Sequence, residues 1–143
     1  MTPENTNETQ LKEVSPTGSY SFRVPRGVEE DIDDRTASYW IDGDPTLLQA
    51  SSYARDSGVQ LSSSKRLASR LSRGELVDHR DFAVDISGCA DVAAASGVDE
   101  EGAHWIYVYA VWPALTVLIT ISHPDAEIPE SAWPFQAIRS LRV

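Results

Sequence analysis

The chain is poor in cysteine, in basic residues and in long apolar runs. One cysteine, Cys89, leaves no internal disulfide and no multi-cysteine metal site. Twelve Lys and Arg against 22 Asp and Glu give a net charge of −10. Such a surface repels nucleic-acid phosphates and anionic lipid. No apolar run reaches the roughly 20 residues of a spanning helix, because Pro113 interrupts the longest one. The N-terminal stretch MTPENTNETQLKEV has neither a basic patch nor an apolar centre, so no secretory leader is expected and a cytoplasmic location is. P-loop, G-x-G-x-x-G, H-E-x-x-H and G-x-S-x-G patterns are all missing. No cofactor, no metal and no catalytic residue is therefore expected, and the chain reads as a non-enzyme.

What is present is one apolar block, His104 to Ser122. Trp105, Tyr107, Tyr109 and Val111 alternate with Ile106, Val108, Ala110 and Trp112. Beyond Pro113-Ala114, Val117, Ile119 and Ile121 alternate with Thr116, Leu118 and Thr120. Alternation by two is the strand period, and β-branched and aromatic residues suit a pleated surface. Strands apolar on both faces belong in the middle of a covered sheet. The short link predicts an antiparallel pair.

Around this block the chain reads in order. Residues 1–17 are polar and form an expected flexible arm; residues 18–143 form one α+β domain. SYSFRVP (19–25) is a strand burying Tyr20, Phe22 and Val24. VEEDIDDR (28–35) is read as an exposed loop, since clustered carboxylates repel one another. TASYWI (36–41) and LLQASSYAR (47–55) are strands joined by Asp42-Gly43-Asp44-Pro45. SSSKRLASRLSR (62–73) is a helix opened by a serine cap and closed by Gly74. Residues 75–80 read as a polar connection, followed by a strand on Phe82, Val84 and Ile86. Residues 88–96 read as an edge or bulged continuation of that strand, and 98–102 is a turn. A closing helix is predicted from Ser131 to about Arg142, with Trp133, Ala137, Ile138 and Leu141 on its docking face.

This order gives a central, mostly antiparallel sheet flanked by helices. With YSFRVPRG, the Trp-containing strand, LLQAS, SKRLASRLS and the terminal AIRSLRV, it resembles the Mog1/PsbP-like superfamily over most of residues 19–143. The resemblance implies an α/β/α sandwich. Superfamily members include a nuclear transport factor that binds the GTPase Ran, a photosystem II subunit and many small bacterial proteins. It assigns no functional residue here, because no motif specifying one is present.

The leading candidate site is the acidic stretch Glu29, Glu30, Asp31, Asp33 and Asp34, as a docking element for a basic protein partner. Its spacing does not match a calcium loop, and a solvated surface is the plain alternative. Trp40 and Trp112, at strand ends, are candidate hydrophobic anchors. His104 and His123 would meet if their strands pair, with Asp125 nearby for metal binding or proton transfer. The helix face Lys65, Arg66, Arg70 and Arg73 could meet an anion or neutralise nearby acids. The expected function is a non-catalytic protein-interaction domain, monomeric or weakly dimeric, using the acidic loop, a sheet edge or both. One alternative is an acidic chaperone or immunity-type protein masking one cognate protein. Another is a ligand or enzymatic pocket between sheet and helix.

Overall fold

The computed structural model describes residues 10–54, 61–89 and 91–143. Its strands are β1 (Leu11–Val14), β2 (Phe22–Pro25), β3 (Glu29–Asp33), β4 (Thr36–Trp40), β5 (Leu47–Ala54), β6 (Leu76–Phe82), β7 (Asp91–Asp99), β8 (His104–Trp112) and β9 (Leu115–His123). Helix α1 (Ser63–Leu71) lies between β5 and β6, and α2 (Trp133–Arg139) closes the chain. Seven strands form one sheet in the order β3-β4-β5-β9-β8-β7-β6, and β1 and β2 form a separate two-stranded ribbon. Every neighbouring pair is antiparallel. The architecture is the α+β sheet-and-helix arrangement that the pattern predicts.

The apolar block is the centre of that sheet. β8 and β9 pair in unbroken register from His104↔His123 to Trp112↔Leu115. Period-two alternation sends the two sets of side chains to opposite faces. Ile106, Val108, Ala110, Val117, Ile119 and Ile121 face a large core with Leu48, Ala50 and Tyr39. The β1–β2 ribbon and α2 supply its cover, through Phe22 and Val24 and through Phe135, Ala137 and Ile138. Tyr107, Tyr109 and Leu118 face a smaller core closed by Leu67 of α1. Helix α1 starts where its cap predicts: Ser62 Oγ accepts from the Lys65 amide. Gly74, just past the end, takes φ 76, which a side chain would oppose.

Five expectations are corrected. The acidic stretch is a strand, not a loop: β3 pairs with β4 from Glu29↔Trp40 to Asp33↔Thr36. Carboxylates are tolerated there because an edge strand keeps them in water, and all five residues are exposed. The supposed polar connection 75–80 is most of β6, the opposite edge; Val84 and Ile86 lie beyond it. The next strand, β7, is a separate nine-residue element, hydrogen-bonded between β6 and β8. Part of the stretch 1–17, expected as an arm, is also a strand. Leu11–Val14 pair with Phe22–Pro25, and residues 1–9 lie outside the described residues. Finally, α2 is a short helix, Trp133–Arg139, with Pro134 in its first turn.

Candidate functional site

Among the described residues, the acidic edge at β3 and a groove at the opposite end of the sheet are the candidate binding places argued from the sequence and the fold.

At the acidic edge, Asp34 holds the turn to β4 with φ 54, a left-handed geometry that Asp tolerates better than most side chains. The ladder then sorts the carboxylates. Glu29, Asp31 and Asp33 stand beside Trp40, Ser38 and Thr36. Glu30 and Ile32 turn to the other face, beside Tyr39 and Ala37. Glu30 is anchored: the Tyr39 hydroxyl donates to its Oε2 at 2.6 Å. Tyr39 is fully buried, so its ring is gripped by the core while its hydroxyl reaches the sheet edge. Glu29, Asp31, Asp33 and Asp34 have no side-chain partner among the described residues. Among the described residues, no strand pairs with the outer side of β3. The edge is therefore a row of backbone donors and acceptors set in strong negative charge.

Of the two candidate tryptophans, Trp40 is half-buried on the same side as Glu29. Trp112 is not a surface anchor. It is 9% exposed and belongs to the large core, on the β8 face that carries Ile106, Val108 and Ala110.

Burial also sets the tyrosine titrations. Burial pushes the Tyr20 phenol up to about 12 from 10.0. Burial first, then the hydrogen bond to Glu30, raises Tyr39 further still. A raised phenol means that the folded state holds its proton more tightly than the unfolded chain. The associated stability is complete below pH 10.0 and is lost as pH climbs toward about 12. Absorbance titration is expected to show Tyr20 and Tyr39 forming phenolate only together with unfolding. Full phenolate formation with the near-UV circular dichroism intact would contradict this.

The histidine constellation does not assemble. His104 and His123 are register partners, as expected for paired strands. But His123 Nδ1 accepts from the amides of Asp125 and Ala126 at 3.1 and 2.9 Å. That nitrogen organises a turn, and Asp125 contributes its main chain there. Among the described residues no group of three His, Cys, Asp or Glu is arranged to hold a metal. Cys89 is half-buried, its thiol turned toward the Asp91 and Val111 carbonyls. On α1, Arg70 is spent on packing: its guanidinium lies 5.0 Å over the Tyr107 ring, and its Nε is 3.2 Å from Glu75.

The groove lies between sheet and helix, where the sequence offered a pocket as an alternative, and of His104, His123 and Asp125 only His104 lines it. It holds about 430 Å³ between β6–β7–β8 and residues 127–135. Phe82, Ile106, Ile128 and Phe135 line it together with Asp78, Arg80, His104, Glu127 and Glu130. Phe82 and Phe135 approach with ring centroids 6.0 Å apart. Reading 75–80 as a connection hid the strand that forms one wall. The one available signal was alternation within β6, where Asp78, Arg80 and Phe82 share a face.

No helix among the described residues is long and apolar enough to cross a membrane. No family model matches the chain, and no curated protein matches it. Solved structures do. The Saccharomyces cerevisiae Ran-binding protein Mog1p superposes with TM-score 0.62 at 11% identity, over 93% of this chain and 95% of that one. Cyanobacterial PsbP from Synechocystis gives 0.63 at 14%, over 94% and 92%. A protein of Bacteroides thetaiotaomicron gives 0.65 at 14%, over 93% of this chain but 48% of the other. The chain has the Mog1/PsbP-like fold.

Proposed function

We propose that this chain is a non-catalytic protein-interaction domain, working in the cytoplasm, that docks a basic protein partner along its acidic sheet edge. The observation that carries this reading is β3 itself. It is an open edge strand with all five residues exposed and four of them carboxylates. The acidic stretch and the sheet edge, separate candidates in the sequence, are one surface. Glu29, Asp31 and Asp33 form its charged row, Asp34 extends it at the turn, Glu30 is held by Tyr39, and Trp40 supplies an apolar neighbour. An exposed edge invites strand addition, and charge on it selects the partner. Like charge rejects a second copy of this chain, which favours a monomer or a weak homodimer. The likeness to a Ran-binding protein supports a protein partner in general.

The test is a set of serine replacements at Glu29, Asp31 and Asp33. These side chains hold no partner among the described residues, so stability should stay within about 0.5 kcal/mol of the parent. Capture of the partner should weaken, and the remaining capture should depend less on salt. Unchanged capture with unchanged salt dependence removes β3 from the interface.

A further inference from the structure

We propose that the opposite edge, β6, is a second docking site, for an extended segment of a partner protein that carries a basic side chain two positions from a large apolar one. β6 ends the sheet, so its outer backbone groups face no strand among the described residues. Val77, at the register shift that begins it, is 59% exposed, and Asp78 to Asp81 are exposed as well. This edge stands beside a concavity. A strand added to β6 would lie about 4.8 Å away and direct every second side chain over the groove.

The groove is amphipathic in a way that defines the occupant. Its apolar part is built from Phe82, Ile106, Ile128 and Phe135. Its rim brings in Asp78 and Glu130, neither of which has a side-chain partner among the described residues. Arg80 lies 3.6 Å from Glu127 with both side chains mostly exposed, a tie too weak to close the mouth, and the Arg139 guanidinium sits 5.7 Å over the Phe135 ring and donates to the Glu130 carbonyl at 3.3 Å. The Asp78, Glu127 and Glu130 carboxylates outnumber these two guanidiniums beside the aromatic rings, which fits a further guanidinium or ammonium whose neighbour is apolar. A second copy of this chain brings more acid to the same place and a net charge of −10. The N-terminal nine residues hold Glu4 and Glu8 and no Lys or Arg, so they do not complement it either.

This site is distant in the sheet order from β3, so it stands or falls separately from the proposed function. The test uses the full isotope-labelled chain and a capped heptapeptide of alternating Thr, with Arg and Leu two positions apart. The expected result is amide shift changes along β6 and at Ser96, Ile106 and Phe135. Asp78→Asn with Glu130→Gln should weaken binding about fivefold, the scale of two partly exposed ion pairs. The three β3 serine replacements should leave it unchanged. Exchanging the peptide's Arg for Glu should abolish it. Four results overturn the proposal: no shifts at millimolar peptide, shifts confined to β3, equal binding of the Glu peptide, or equal binding of phenethylamine, which would mark a small-amine pocket without strand addition.

Discussion

Replacing Gly97 with alanine is expected to destabilise the domain by about 2 kcal/mol or more, the scale of forced overpacking. Gly97 sits inside β7, between His79 of β6 and Trp105 of β8. A Cβ built there would lie 2.4 Å from the Asp78 carbonyl oxygen, and 2.9 Å from both His79 Cβ and Leu76 Cδ1. The nearest of these is backbone, so no rotamer change relieves it. The cause is space and not dihedral strain, because Gly97 is not among the glycines with positive φ. A strand glycine with this role marks close approach of a neighbouring backbone, here at the register shift between Leu76 and Asp78. The relief open to the fold is to move β6 outward. Denaturant unfolding should therefore show the loss, and amide exchange should show residues 76–82 opening first. Gly27 is the control: nothing lies within 4 Å of its Cβ position and its φ is ordinary, so alanine there should be neutral or slightly stabilising. If Gly97→Ala unfolds like the parent, β6 is not seated as described. The acidic groove wall that depends on β6 would then lose its support.

The same residues explain what could be read from sequence. The β8–β9 hairpin was legible because both its faces are mostly buried, so apolar residues dominate both strands and the period shows. The α1 cap and its Gly74 stop were legible because each is a local solution to unsatisfied helix ends. The two edge strands were not. In β3 one face carries Glu29, Asp31 and Asp33, and the other carries Glu30 and the half-exposed Ile32, so no apolar alternation marks the strand. In β6 only Leu76 is buried and Phe82 partly so, and the register shift moves Val77 out of phase. Edge strands are specified by what they pair with, which no local window contains. The candidate site followed suit. The acidic residues were found by their charge, while their placement on a sheet edge came from β4. The groove needed β6, β8 and residues 127–135 together, and these are far apart in sequence.

Phe22→Ala is expected to have the largest effect on stability, about 3–5 kcal/mol, against the 5–15 kcal/mol typical of a whole domain. Phe22 is fully buried although it lies in the two-stranded ribbon and not in the main sheet. Its ring meets Tyr39 edge-on, with centroids 5.2 Å apart at 80°, and stacks 6.3 Å from Tyr20. Aromatic pairs of this kind add to the area they bury. The surrounding backbone is held too firmly to collapse into the gap. Ser21 and Arg142 exchange both amide hydrogen bonds, at 2.8 and 3.0 Å, and the Arg23 amide donates to Ser140 Oγ at 2.7 Å. The ribbon is thus tied to the chain's last residues and is part of the cover over the large core. One cooperative unfolding transition is expected for the parent, shifted but still single in the variant. A loss below about 1 kcal/mol would make the ribbon a peripheral attachment. The consequence reaches the candidate site, because the ring that Phe22 supports is the one whose hydroxyl holds Glu30. With that support gone, the Tyr39 phenol should titrate closer to its ordinary range, and Glu30 should join the unanchored carboxylates of β3. A Phe22→Leu variant refills most of the volume without the edge-on contact, so it should recover much of the stability. It therefore separates the packing of the ribbon from the positioning of Glu30.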